Sequence, residues 1–222
     1  MDSNLINHLP PGKLTVDVNQ LFQDFDYLGI LKNYGSYCLF INSLLSLVLR
    51  KKQYEVKLIA CYAQLDNRQN QRFLLGHPAH IDPGQLADHI FCLVNDQYLV
   101  DFGLGNLRKF DHDFAQAAAC AIQLEEANNG YDSKYIASIT TMSQQSLTWI
   151  GDHTIPNLDA AIQAQEPKVI ELMSFIDQFQ NDRLGHCIRK GLTAKRKDSS
   201  KNKLSAQSIN WPLKNFDDTL RP

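Results

Sequence analysis

The chain has 222 residues, 44 % of them hydrophobic and 21 % charged, with a formal net charge of -2. That is ordinary for a soluble globular protein, and so weak a net field excludes binding of nucleic acid by bulk charge. Five irregularly spaced cysteines make no disulfide framework; with no signal-peptide pattern in residues 1–11 and no apolar run long enough to cross a bilayer, the expectation is a cytoplasmic protein without membrane contact.

Pro10-Pro11-Gly12 breaks the chain, and Val18 to Leu31 carries a weak helical spacing of apolar residues (Val18, Leu21, Phe22, Phe25, Leu28). The segment Asn33-Tyr34-Gly35-Ser36-Tyr37-Cys38 then opens onto the apolar run Leu39 to Leu49. Ser36 is the expected N-cap, which places Cys38 in the first turn of a helix running to about Lys52. Apolar residues on nearly every face make this a central helix, and Arg50-Lys51-Lys52 suit its C-terminal end. Tyr54 to Leu65 reads as a strand with Val56, Leu58, Ala60 and Tyr62 on one face. Asp66 to Asp88, with Gly76, Pro78, Pro83 and Gly84, reads as a long loop. His89 to Val94 and Gln97 to Phe102 are two strands joined near Asn95-Asp96. Further strands are expected at Ala118 to Leu124, Lys134 to Met142 and Gln145 to Ile150. Ile155 to Gln165 has a helical pattern, Pro167 is placed to start another helix through about Gln180, and Leu184 to Leu192 suits a last strand. The Lys-, Ser- and Asn-rich stretch Thr193 to Ser208 is expected to be a solvated tail, docked back through Trp211, Leu213 and Phe216.

Cysteines are commonly packed core residues, which suits Cys61, Cys92, Cys120 and Cys187 in their strand-like segments. Cys38 differs. At a helix start, outward N–H groups and the positive dipole end favour a thiolate, the reactive form, and the same N–H groups can hold an oxyanion. His89 is the expected base, and Asp101 the carboxylate that bonds the other ring nitrogen and sets the tautomer. Asp101 lies among Tyr98, Leu99, Val100 and Phe102, so it needs a partner. His89 and Asp101 share a sheet face only in certain registers. A two-residue Asn95-Asp96 turn puts them on opposite faces, whereas a three-residue loop or a bulge puts them on one. The expectation is therefore a three-residue or bulged hairpin. His77, His80 and Asp82 have no Cys or Glu nearby to complete a four-ligand set, so no metal is expected. The basic run Arg189-Lys190 and Lys195-Arg196-Lys197 reads as a solvated tail, and no Walker loop or dinucleotide fingerprint is present.

With these residues in place the chain resembles the arylamine N-acetyltransferases. Tyr34-Gly35-Ser36-Tyr37-Cys38, followed by a long apolar helix and the strand Tyr54-Glu55-Val56-Lys57-Leu58, is similar to that family's Arg-Gly-Gly-x-Cys motif and its sequel. The histidine-led strand His89 to Val94, the turn, and Tyr98-Leu99-Val100-Asp101-Phe102-Gly103-Leu104-Gly105 are similar to its second motif. The match covers about Leu28 to Leu107 and departs at the arginine, at the second glycine (Ser36) and at the last aromatic (Leu104). The resemblance implies an α+β fold with a papain-like cysteine-enzyme core. Residues 1–53 would form a reduced helical part, 54–150 a central antiparallel β-barrel or sheet, and 151–222 a small C-terminal α/β lid with a basic tail. It implies ping-pong transfer of acetyl from acetyl-CoA through a Cys38 thioester to an arylamine or hydrazine nitrogen. The catalytic residues would be Cys38, His89 and Asp101; Phe102, Gly103, Leu104 and Gly105 would border the acyl-carrier cleft. The same triad would also serve a transglutaminase-like enzyme or cysteine hydrolase acting on a protein or amide, and the fold an inactive binding descendant.

Overall fold

The computed structural model describes residues 4–66, 72–76, 88–109, 117–124, 135–140, 146–151 and 158–193. The fold is α+β. Eight strands form one curled sheet: β1 (Asn4–His8), β2 (Val56–Asp66), β3 (Arg72–Leu75), β4 (His89–Val94), β5 (Tyr98–Asp101), β6 (Ala117–Gln123), β7 (Tyr135–Thr140) and β8 (Ser146–Ile150). Their spatial order is β1-β6-β5-β4-β2-β8-β7, with β3 also on β2. All pairings are antiparallel except β1 with β6. Among the described residues four α-helices accompany them, α1 (Lys13–Tyr27), α2 (Ile30–Tyr34), α3 (Cys38–Lys51) and α4 (Leu158–Thr193), with a 3-10 helix at Leu104–Lys109.

The hydrophobic pattern places α3 correctly. Ten of its residues are buried, from Leu39 to Leu49, and Arg50 ties its end to the sheet by donating from Nε and Nη2 to Val56 O. α1 begins earlier than expected, and it stops because Gly29 takes a left-handed turn (φ 71). Strand β1, short and half polar, carries too little apolar alternation to be read from sequence.

Strand β2 serves both halves of the sheet. Val56 to Cys61 pair with β4, and Tyr62 to Asp66 pair with β8. The single face expected of Val56, Leu58, Ala60 and Tyr62 is therefore not continuous. Val56 and Leu58 pack under the helices, while Cys61, Ala63 and Leu65 point the other way into a second core with Leu99, Leu147 and Trp149. Both sheet faces are covered, so alternation alone does not identify the buried one. The expected long loop contains β3, and Asp88 N–H donates to Gly76 O (2.6 Å), bringing together the two ends of segment 77–87.

The C-terminal region departs most from expectation. The helix expected from Ile155, the one expected at Pro167 and the strand expected over Leu184 to Leu192 are replaced by the single helix α4, with Pro167 inside it. Val169, Leu172 and Ile176 bury one stripe of α4 in the helical core; full burial of such side chains contributes about 1.5–3 kcal/mol each. That stripe holds one helix across a residue that usually ends one. Over the described residues this region is helical, not an α/β lid. The expected tail beyond Thr193 and its docking residues lie outside the described residues.

Candidate active site

Cys38 is the first residue of α3. Tyr37, not Ser36, is the N-cap, and no side chain caps the helix. Ser36 instead offers its carbonyl to Asn106 Nδ2 (2.9 Å). The first N–H to bond back is that of Ile41, to Tyr37 O (3.0 Å), and the N–H groups before it lie at the positive end of the helix dipole. Among the four described cysteines Cys38 alone is partly exposed. Burial pushes the thiols of Cys61, Cys92 and Cys120 well up, which keeps them protonated and unreactive.

The hairpin has the three-residue form. Val94 pairs with Tyr98, and Cys92 with Val100. Asn95 and Asp96 are both left-handed (φ 51 and 53), and Gln97 N–H donates to Val94 O (3.1 Å). Gln97 is the extra residue that returns His89 and Asp101 to one face. They are diagonal neighbours rather than directly opposed, because Leu93 pairs with Leu99 and the loop is Asn95-Asp96-Gln97.

His89 Nε2 meets Asp101 Oδ2 at 2.6 Å, with both side chains essentially inaccessible. Burial alone would lower the imidazole pKa. The Asp101 carboxylate, by charge and hydrogen bond, and a hydrogen bond with the Cys38 side chain outweigh it and push His89 up to about 10. Burial works to raise Asp101, yet His89, the Trp149 indole and the Gly103 N–H hold it below the usual carboxylate range. The two shifts point the same way: each partner favours the charged form of the other. With Nε2 committed to Asp101, Nδ1 remains for the sulfur. The Cys38 thiol also lies 3.8 Å from Asp88 O, and Asp88 itself holds an unusual positive φ of 102°. Cys38, His89 and Asp101 are thus brought together by α3, β4 and β5.

Two further residues complete the arrangement, and both escaped the sequence reading. Trp149 on β8 donates from Nε1 to Asp101 Oδ2 (3.0 Å). Asn42, fully buried one turn after Cys38, donates to Asp101 Oδ1 (3.1 Å) and Ile90 O (2.6 Å) and accepts from Phe102 N–H (3.0 Å). Gly103 N–H supplies the fourth bond to Asp101, at Oδ1 (2.8 Å). A polar residue four positions after the cysteine, inside an otherwise apolar helix, was the available signal for Asn42. Trp149 gave none, since its contact joins distant strands.

Gly103 and Gly105 pack against the turn and first residue of α3. The rings of Phe22 and Phe25 meet that of Phe102 edge-on at 5.9 and 5.7 Å, and Leu104 is fully buried in the second core. Gly103 has no room for a side chain, because a Cβ there would stand 2.8 Å from Cys38 Cα and Cβ. At Gly105 it would stand 2.6 Å from the Gly35 carbonyl carbon, and Gly105 N–H donates to Gly35 O (2.9 Å). The stretch Phe102 to Gly105 clamps the turn that delivers Cys38, and the side chains of Phe102 and Leu104 are buried in the two cores rather than turned to a cleft. His77, His80 and Asp82 lie outside the described residues; among the described residues no cluster of His, Cys, Asp and Glu could hold a metal ion, and no helix is long and apolar enough to cross a membrane.

No family model, curated protein or solved structure matches this chain.

Proposed function

We propose that this protein is a cysteine acyltransferase of the arylamine N-acetyltransferase type, with a papain-like arrangement of its core. The observation that carries this is a partly exposed sulfur at a helix start beside an imidazole hydrogen-bonded to a buried carboxylate. The resemblance of the two motifs to that family's supports it, as does the clamp of Gly103 and Gly105 on the cysteine turn.

In the first half-reaction Cys38, as thiolate, attacks the acetyl carbon of acetyl-CoA. The bond from that carbon to the coenzyme sulfur breaks, and the departing thiolate takes the proton from His89. The N–H groups at the start of α3 stabilise the oxyanion formed on the way. In the second half-reaction an arylamine or hydrazine nitrogen attacks the Cys38 thioester, His89 accepts the nitrogen's proton, and Cys38 leaves as thiolate. Asp101 keeps its charge throughout and holds the imidazole.

The test is intact-protein mass spectrometry after exposure to acetyl-CoA, with Cys38→Ala beside it. One acetyl group on the wild type, absent from the variant and discharged by an arylamine, is expected. An unlabelled wild type whose Cys38 reacts instead with glutamine or peptide amides would replace acetyl transfer by a transglutaminase-like or hydrolytic reaction. Equal labelling of Cys38→Ala would end the proposal.

A further inference from the structure

The β4–β5 ladder stops one rung early, and a side chain stands in the gap. Asn95 N–H donates to Glu55 O, so the odd-numbered residues of β4 bond toward β2 and the even-numbered ones toward β5. Cys92 pairs with Val100, which makes Ile90 and Phe102 the next bonding pair. They do not bond each other directly. Ile90 O accepts from Asn42 Nδ2 at 2.6 Å, and Phe102 N–H donates to Asn42 Oδ1 at 3.0 Å. Two hydrogen bonds in series replace one, and the carboxamide behaves as an inserted peptide group. The same Nδ2 also donates to Asp101 Oδ1 (3.1 Å). Asn42 is four residues after Cys38 and therefore on the same helix face.

We propose that Asn42 is a positioning residue: its carboxamide takes the place of the missing rung between Ile90 and Phe102, sets how far β4 and β5 stand apart at their His89 and Asp101 ends, and locks the Cys38 helix to that pair. This rests on the thiol chemistry assigned to the site and adds a residue outside the triad. A buried asparagine serving stability alone would need only satisfied partners. Here each partner belongs to the backbone or side chain that carries His89 or Asp101, so a shift of the amide moves sulfur, imidazole and carboxylate together.

Asn42→Asp tests it in the full chain. The change is isosteric and keeps an acceptor for Phe102 N–H, but it removes both donated bonds. Three readouts need no acyl donor: the pH profile of Cys38 alkylation by iodoacetamide, followed by peptide mapping; the imidazole ¹⁵N–¹H signals of His89; and the thermal midpoint. Alkylation near neutral pH is expected to fall by about ten- to a hundredfold, the scale on which a misplaced reacting group loses rate, and the His89 signals are expected to move. A lower midpoint with an unchanged alkylation profile and unchanged His89 signals would make Asn42 a packing residue and overturn the proposal. Should the variant fail to fold, the unaltered protein decides. The Asn42 side-chain N–H and the Phe102 N–H must then be among its slowest-exchanging protons, and fast exchange at both overturns the inference. A protein that never takes up acetyl, yet shows the expected Asn42→Asp effects, would refute acetyl transfer and leave this inference standing.

Discussion

Asp101→Asn is the most telling single change. The carboxylate is fully buried and accepts four bonds: His89 and Trp149 at Oδ2, Asn42 and Gly103 N–H at Oδ1. An amide at this position has one oxygen, so its NH₂ must face two of those donors. If it faces Asn42 and Gly103, two buried donors lose their acceptor, at roughly 1–3 kcal/mol each. If it faces His89, the ring must accept at Nε2. The proton then sits on Nδ1, toward Cys38, and the imidazole is in the wrong tautomer for a base. Loss of an orienting carboxylate in a triad costs roughly 10⁴ in turnover, about 5 kcal/mol of barrier. The effect on stability has a definite sign against pH. His89 is raised from 6.5 to about 10 in the folded protein. Between those values the folded chain holds more protons than the unfolded one, so the pair's contribution is complete below 6.5 and is lost as pH rises through about 10. Asp101 is lowered from 3.8, so its contribution is complete above that value and is lost as pH falls through the native one. For so deeply buried a pair the alkaline loss is on the order of a few kcal/mol. Urea midpoints of wild type and Asp101→Asn between about pH 4 and about pH 10 should show the wild type falling on the alkaline side and the variant nearly flat there. Parallel curves, or acetyl transfer within about tenfold of wild type, would refute the reasoning.

Gly103→Ala puts a methyl 2.8 Å from the Cys38 backbone; overpacking should cost about 1–3 kcal/mol in a thermal melt, and displacement of the sulfur should cut Cys38 alkylation about a hundredfold. Trp149→Phe removes the indole N–H bonded to the carboxylate; a loss of about 1.5–3 kcal/mol is expected by urea titration, as for a hydrogen bond to a charged group, with a parallel drop in acetyl transfer. Lys51→Ala breaks the ion pair with Asp177 at a site more than half exposed; the midpoint should change by less than about 1 kcal/mol, and Cys38 reactivity should not change.

Much of the site was legible because its signals are local. A turn rich in small residues ahead of an apolar run announces a cysteine at a helix start, and the parity of His89 and Asp101 converts directly into a hairpin type. The extra residue, Gln97, lies within three positions of the turn's left-handed pair. The failures share a different cause. Ser36 was a fitting cap by residue type, but its carbonyl is engaged by Asn106, seventy residues away, and the cap fell to Tyr37. The face of β2 could not be read because its partner changes from β4 to β8 along its length. α4 runs through Pro167 because buried Val169, Leu172 and Ile176 hold it to the helical core, a force that local propensity does not contain.

The amino-acid order by itself determined that an apolar helix follows the Gly35-Ser36 turn with Cys38 in its first turn, the two strands of the hairpin, and the candidacy of Cys38, His89 and Asp101. These rest on turn chemistry and periodicity, which act over a few residues. Tertiary structure alone decided that Asp101 is held by Trp149 and Asn42 as well as His89, that Asn42 replaces a rung of the sheet, and that Gly103 must be bare. Those depend on distances between segments that meet only when the sheet curls and α3 settles against it.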